Sequence, residues 1–315
     1  MEIGGYIEFP HYTGSVFHNN AIALNCARNC LVYVIEAKNV KKIAIPKFLC
    51  GSVERICREN NVEVSYYSIG MDFLPQNMEI QSDVWLYLVN YYGQVNNERI
   101  LQIKNKKKNL IVDNVEAFFQ LPVEGVDTIY TCRKYFGVPD GGFLYTDSFI
   151  KRLLEEDRSA ERMTHLLGRF ENTASAFYSV YKENESIFKT LPLRKMSKLT
   201  EDIMRSYDYD KIKKIREENY NYLNEKLLRY NKLTLNIPQG AFMYPLYIDN
   251  GSEVRKKLQK KNIYIPTLWP DVFNICNEIE LEYDIAKNIL PLPCDQRYDV
   301  ETMKYLALEV ERCLN

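Results

Sequence analysis

The sequence predicts an α/β fold, with a mostly parallel mixed sheet between helices and a smaller C-terminal α+β unit. Three observations predict it. From about residue 20 to 147, short continuous apolar runs alternate with helical patterns, as strands buried on both faces do. Residues 148–230 turn charged and helical. From Phe242 a strand, a helix and another short apolar run follow. The boundary falls near 205–210, giving a large domain over 1–207 and a small one over 208–315.

The elements follow in order. Residues 21–38 predict the first helix, with apolar positions at 22, 24, 31, 32, 34 and 35. Residues 43–45 predict a short strand, stopped by Pro46. A helix over 52–59 and strands over 62–67 and 84–91 come next. Strands at 110–112, 128–130 and 143–145 complete the sheet. Helices are predicted over 149–158 and 211–230; the second carries Ile212, Ile215, Tyr220, Leu223 and Leu227 close to a 3.6-residue stripe. In the small unit, 242–248 and 263–265 predict strands, and 252–260 and 301–314 predict helices. In a parallel sheet, sites lie beyond the carboxyl ends of the strands. Pro46, Asn90, Asp113 and Lys134 all fall near such ends.

Composition narrows the class. The 46% apolar content supports a sizeable core, and a net charge of −1 leaves no basic excess for nucleic acid or a membrane surface. The basic run over 104–108 reads as a solvated loop. No stretch resembles a signal peptide or reaches the roughly 18 apolar residues of a membrane helix. The eight cysteines form no CxxC pair and no metal-like cluster with the three histidines, so free thiols in a reducing cytoplasm, and no metal, are expected.

The chemistry centres on residues 131–142, Thr-Cys-Arg-Lys-Tyr-Phe-Gly-Val-Pro-Asp-Gly-Gly. Lys134 follows one strand and Asp113 ends another. A lysine to form a Schiff base and a carboxylate to pair with a pyridinium nitrogen are what pyridoxal 5'-phosphate requires. Taken singly, Lys134 reads as a loop lysine and Asp113 as a strand-closing residue; together they favour the cofactor. A phosphate needs a helix N-terminus, and residues 25–29 offer one, with small residues around Ala27 and Arg28. Thr131 adds a hydroxyl in a Thr-x-x-Lys arrangement. Tyr91 is a pocket-lining candidate, with a half-buried core aromatic as the alternative. Arg297 is a candidate for an anionic substrate group, with a structural Arg–Asp pair as the alternative.

These segments together resemble the DegT/StrS sugar aminotransferase family of fold-type I pyridoxal phosphate enzymes, over most of the chain. The family's phosphate-binding Asn-Ser/Gly-Thr/Arg segment corresponds to residues 25–29. Its Pro-x-x-Thr-aromatic loop corresponds to 46–50, which puts Cys50 where a stacking aromatic stands. Its Asp-Ala-Ala-Gln/His segment corresponds to Asp113 onward, which puts Glu116 at the Gln/His position. Its lysine followed by Asp-Gly-Gly corresponds to Lys134 and Asp140, Gly141 and Gly142. The resemblance implies Lys134 and Asp113 as catalytic residues, with Ala27, Arg28, Cys50, Glu116 and Thr131 completing the cofactor site. It further implies a homodimer with the site at the subunit interface, and amino transfer from glutamate to a nucleotide-linked keto sugar in polysaccharide synthesis. The competing readings are a dehydratase or other lyase on the same cofactor, and a non-catalytic scaffold, which Cys50 and Glu116 favour. A nucleotide-binding protein ranks lower because no GxGxxG loop is present.

Overall fold

The computed structural model describes residues 3–76 and 81–314. Seven strands make the main sheet: β1 (Ile22–Leu24), β2 (Lys42–Pro46), β3 (Glu63–Tyr67), β4 (Trp85–Val89), β5 (Leu110–Asp113), β6 (Asp127–Thr131) and β7 (Gly142–Tyr145). Their spatial order is β1-β7-β6-β5-β4-β2-β3. The pairs from β3 through β6 are parallel, and β7 runs antiparallel to both β6 and β1. The central strands β5 and β6 are buried at every position, whereas the edge strand β3 exposes Glu63, Ser65 and Tyr66. That contrast is why β5 reads as an apolar run and β3 reads as mixed; β6 is equally buried but carries Asp127, Thr128 and Thr131.

Helices α1 (Ala27–Lys38), α2 (Gly51–Glu59) and α3 (Asn97–Lys106) connect the strands. After the sheet come α4 (Thr164–Glu171), α5 (Tyr178–Ile187), α6 (Lys198–Met204) and the long α7 (Tyr209–Leu227). The chain ends with β8 (Met243–Tyr247), α8 (Gly251–Gln259), α9 (Val272–Ile275), α10 (Leu281–Asn288), β9 (Ile289–Pro293) and α11 (Val300–Leu314). A second apolar core, built on Tyr220 and Leu223 of α7 with Leu246, Leu290 and Leu306, joins α7 to these C-terminal elements.

Three sequence expectations are corrected. Residues 21–38 are not one helix: Ile22–Leu24 pairs with Leu144–Gly142 as β1, and the helix starts at Ala27. Long-range pairing overrides local preference there. Residues 149–158 form no helix. Phe149 and Leu153 stay exposed, while the Lys195 amide donates to the Glu155 carbonyl and the Asp157 amide to the Lys195 carbonyl. Residues 263–265 form no strand; β8 pairs instead with β9, whose Pro291 and Pro293 disguised it. A two-stranded pair consists only of edges, so it tolerates proline.

His18 illustrates how the core titrates. The ring is buried, lies 4.2 Å from Tyr130 and hydrogen-bonds the Phe118 carbonyl at 2.8 Å. Burial pushes its pKa down to about 4, against the pull of that carbonyl. Below about 6.5 the unfolded chain binds a proton that the folded ring refuses. Stability should therefore fall as pH drops from about 6.5 to about 4, by about 3 kcal/mol. Urea midpoints against pH for the protein and a His18→Gln variant test this, and equal slopes in the two would contradict it.

Candidate active site

Because β1 and β6 both oppose β7, strands β1, β2, β4, β5 and β6 all point one way. Their carboxyl ends share one edge. That edge gathers the start of α1, the loop after Pro46, Asn90, Asp113 and the turn after Thr131.

Asp113 ends β5 and is buried. Its Oδ2 accepts the Tyr87 hydroxyl at 2.7 Å and its Oδ1 the Val115 amide at 3.0 Å. Burial pushes its pKa up, while those two donors and the Lys134 charge pull it back. Lys134 lies in the tight turn after β6, where the Tyr135 and Phe136 amides both donate to the Cys132 carbonyl. Its Nζ donates to Glu116 Oε1 at 3.0 Å and lies 5.1 Å from the Phe242 ring centre. The Lys134 side chain is 35% exposed and that of Glu116 only 1%, so solvent reaches the pair from the lysine side. The other oxygen of Glu116 accepts the Tyr92 amide at 3.1 Å. Tyr92 has φ +53°, a costly conformation for a bulky residue, and it aims that amide at Glu116. A carboxylate at this position is thus met by an ammonium and a backbone donor.

The start of α1 has no side-chain cap, because its N-cap residue is Cys26. The first-turn amides of Ala27 and Arg28, which no helix satisfies internally, therefore receive no side-chain cap either. Two glycines bring β7 against them. Gly141 has φ +116°, and a Cβ on Gly142 would lie 2.7 Å from the Ala27 nitrogen. The Thr131 hydroxyl donates to the Gly141 carbonyl at 3.2 Å. Asp140 is occupied elsewhere: it accepts the Ser197 amide and hydroxyl and the Thr200 hydroxyl, which fixes the start of α6.

The other sequence candidates are placed as follows. Cys50 is the half-buried N-cap of α2, with its Sγ 3.1 Å from Ser52 Oγ. Tyr91 is fully buried, packs on Phe48 and Trp269, and donates its hydroxyl to the Phe48 carbonyl, which is the core-aromatic alternative. Arg297 forms a bidentate pair with Asp295 at 2.7 and 2.8 Å, the structural alternative. The edge thus unites Lys134, Glu116 and Asp113, with Ala27, Arg28 and Thr131 beside it; Tyr91 and Arg297 are engaged in other contacts. Sequence reasoning missed Tyr87, which holds Asp113; Arg133, which pairs with Glu185; and Arg216, which donates to the Tyr135 carbonyl beside the lysine. Of these, Arg133 carried a signal, as a charged residue adjoining the candidate lysine. Elsewhere, Cys276, Glu280 and Glu282 bring ligand atoms within 4.8 Å of one another. The Lys47 ammonium already pairs with Glu280, and Glu282 accepts the Ile69 amide.

The sequence matches no protein-family model and no curated protein. Solved structures do match. A DegT DnrJ EryC1 StrS aminotransferase from Brucella abortus aligns over 94% of this chain and 86% of its own, at 13% identity and a TM-score of 0.63. NtdA from Bacillus subtilis, with bound cofactor PMP, aligns over 93% and 73% at 14% identity and a TM-score of 0.67. DesV from S. venezuelae aligns over 94% and 85% at 13% identity, also with a TM-score of 0.67. The fold is that of the sugar aminotransferases. Within this sugar-aminotransferase fold, the chain's own residues fit pyridoxal phosphate on three counts. A lysine side chain stands partly open to solvent beside a carboxylate that can take its proton, a buried carboxylate keeps lone pairs for a further donor, and an uncapped helix start can take a phosphate.

Proposed function

We propose that the protein is a pyridoxal phosphate-dependent aminotransferase that moves an amino group from glutamate to a nucleotide-linked keto sugar in polysaccharide synthesis. The observation that carries the reading is the Lys134–Glu116 pair at 3.0 Å beside buried Asp113, all on the shared strand edge. Bound there, the cofactor would supply an electron sink for the carbanion left when the substrate's α-proton departs. Lys134 would hold the cofactor covalently and then carry the proton that leaves the α-carbon. Asp113, fixed by Tyr87 and the Val115 amide, would keep a proton on the ring nitrogen. Ala27, Arg28 and Thr131 would hold the phosphate, while Glu116 and Cys50 would flank the ring.

In this reading the working unit is a homodimer in the cytoplasm, with the site at the subunit interface. The exposed apolar side chains of Ile3, Tyr6 and Ile7 are surface that a second copy would cover. Among the described residues, no helix is long and apolar enough to cross a membrane. Cys50, unable to stack on a ring, favours a second reading as a non-catalytic scaffold.

Incubation with pyridoxal phosphate and glutamate, with 2-oxoglutarate measured, separates the readings. A transaminase releases 2-oxoglutarate in proportion to the cofactor aminated. Cofactor binding without 2-oxoglutarate points to a lyase, and absence of binding to the scaffold; either would overturn the assignment.

A further inference from the structure

We propose that Arg28 and Arg133 form an anion clamp which the protein closes on its own Glu185, and that the α4–α5 hairpin is a cap released when a phosphate group takes that carboxylate's place. One oxygen of Glu185 pairs with Arg133, and the other lies 3.9 Å from Arg28. Arg28 belongs to the first turn of α1, and Glu185 joins it to Arg133, so the clamp stands at the uncapped helix start. The Arg133 guanidinium also lies 3.7 Å from the Phe188 ring centre, which fastens the end of α5 to the same spot. His165 faces these charges too; burial and Arg133 push its pKa down, so it adds no positive charge at neutral pH. Two guanidinium groups thus share a single carboxylate. A phosphate monoester carries about −1.5 to −2 charges and three acceptor oxygens, which matches two arginines better.

The closed cap is poorly satisfied elsewhere. Eight buried side-chain polar atoms lack a hydrogen-bond partner among the described residues. Four of them lie in or beside this hairpin: Arg162 Nε, His165 Nδ1, and both Asn184 Oδ1 and Nδ2. Such orphaned groups favour any state that exposes them to water. The Glu185 contacts and the Phe188 stack, with the Arg162–Asp157 pair at the base, therefore hold closed a segment in which His165 and Asn184 favour opening. A cap of this kind lowers apparent anion affinity by the fraction of molecules that are open.

The inference rests on the aminotransferase reading only for the source of the phosphate, cofactor or nucleotide-linked substrate. The test is calorimetric titration of the full chain, Glu185→Gln and Arg133→Gln with inorganic phosphate, pyridoxal phosphate, pyridoxal and uridine diphosphate. Hydrogen exchange of residues 178–188 is followed in parallel. Glu185→Gln should bind inorganic phosphate about tenfold more tightly, and Arg133→Gln about tenfold more weakly. Phosphate should speed exchange over α5 in the unmodified protein. A gain in Glu185→Gln for pyridoxal phosphate but not pyridoxal assigns the clamp to the cofactor; a gain for uridine diphosphate alone assigns it to substrate. Unchanged or weaker phosphate binding by Glu185→Gln, or unchanged exchange over α5, overturns the proposal. Inorganic phosphate needs no lysine chemistry, so this outcome is independent of whether Lys134 reacts with the cofactor.

Discussion

Lys134→Ala is expected to lose the borohydride-trapped adduct with pyridoxal phosphate entirely and to slow amino transfer by about 10⁴-fold or more. The lysine would serve both as covalent attachment point and as proton carrier, so one substitution removes both. Lys47 is the natural control, because it also follows a strand at the same edge. Its ammonium pairs with Glu280 rather than with Glu116, so Lys47→Ala should keep the adduct. The protein should survive the loss of Lys134. Glu116 retains the Tyr92 amide, and the lysine is partly exposed, which limits the cost to about 1–2 kcal/mol. Peptide mass mapping after borohydride decides the matter: a modified Lys47, or an adduct persisting in Lys134→Ala, would remove Lys134 from its role.

Arg216→Met should destabilise the protein by about 3–5 kcal/mol, although no carboxylate touches the arginine. Its side chain is 1% exposed and makes only hydrogen bonds: to Gln296 at 2.6 Å, the Ala241 carbonyl at 2.7 Å and the Tyr135 carbonyl at 3.3 Å. The guanidinium also lies 4.4 Å from the Tyr135 ring centre. Methionine fills much of the volume but leaves the Ala241 carbonyl in the interior without its arginine donor, while the Tyr135 carbonyl keeps only the Gln296 amide, which is the expensive outcome. Burial pushes the Arg216 pKa down, against the pull of the nearby Tyr135 and Asp295 groups. Tyr135 adjoins Lys134, so the same change should loosen the lysine turn and weaken pyridoxal phosphate binding about tenfold. Urea unfolding of the variant measures the first effect and cofactor titration the second. A loss below about 1 kcal/mol would mean that water or a neighbouring side chain replaces the arginine.

The parts of the fold legible in the sequence were those whose signal is local. β4 and β5 are apolar runs because helices or loops cover both faces, and α7 shows its stripe because only one face is buried. β1 and β9 were hidden because pairing across the chain, with Gly142 to Leu144 and with Met243 to Tyr247, decides their state. The site divides in the same way. Lys134 and Asp113 stand out because each closes a strand. Nothing local marks Glu185, which reaches Arg133 from 52 residues away, or Tyr87, which reaches Asp113 from 26 residues away. Glu116 reads as an ill-suited carboxylate until its partners are seen; an ammonium and a strained backbone amide account for its charge.

The antiparallel β1–β7 pairing has a consequence for synthesis. Ile22 finds its partner only when Leu144 has been made. At about 5–20 residues per second, β1 waits roughly 6–25 s on the ribosome before its partner strand exists. Until Gly141 and Gly142 arrive, nothing seats the first turn of α1 beside the lysine turn. The nascent chain is therefore expected to gain its cofactor site late and in one step, after β7 has emerged, rather than strand by strand.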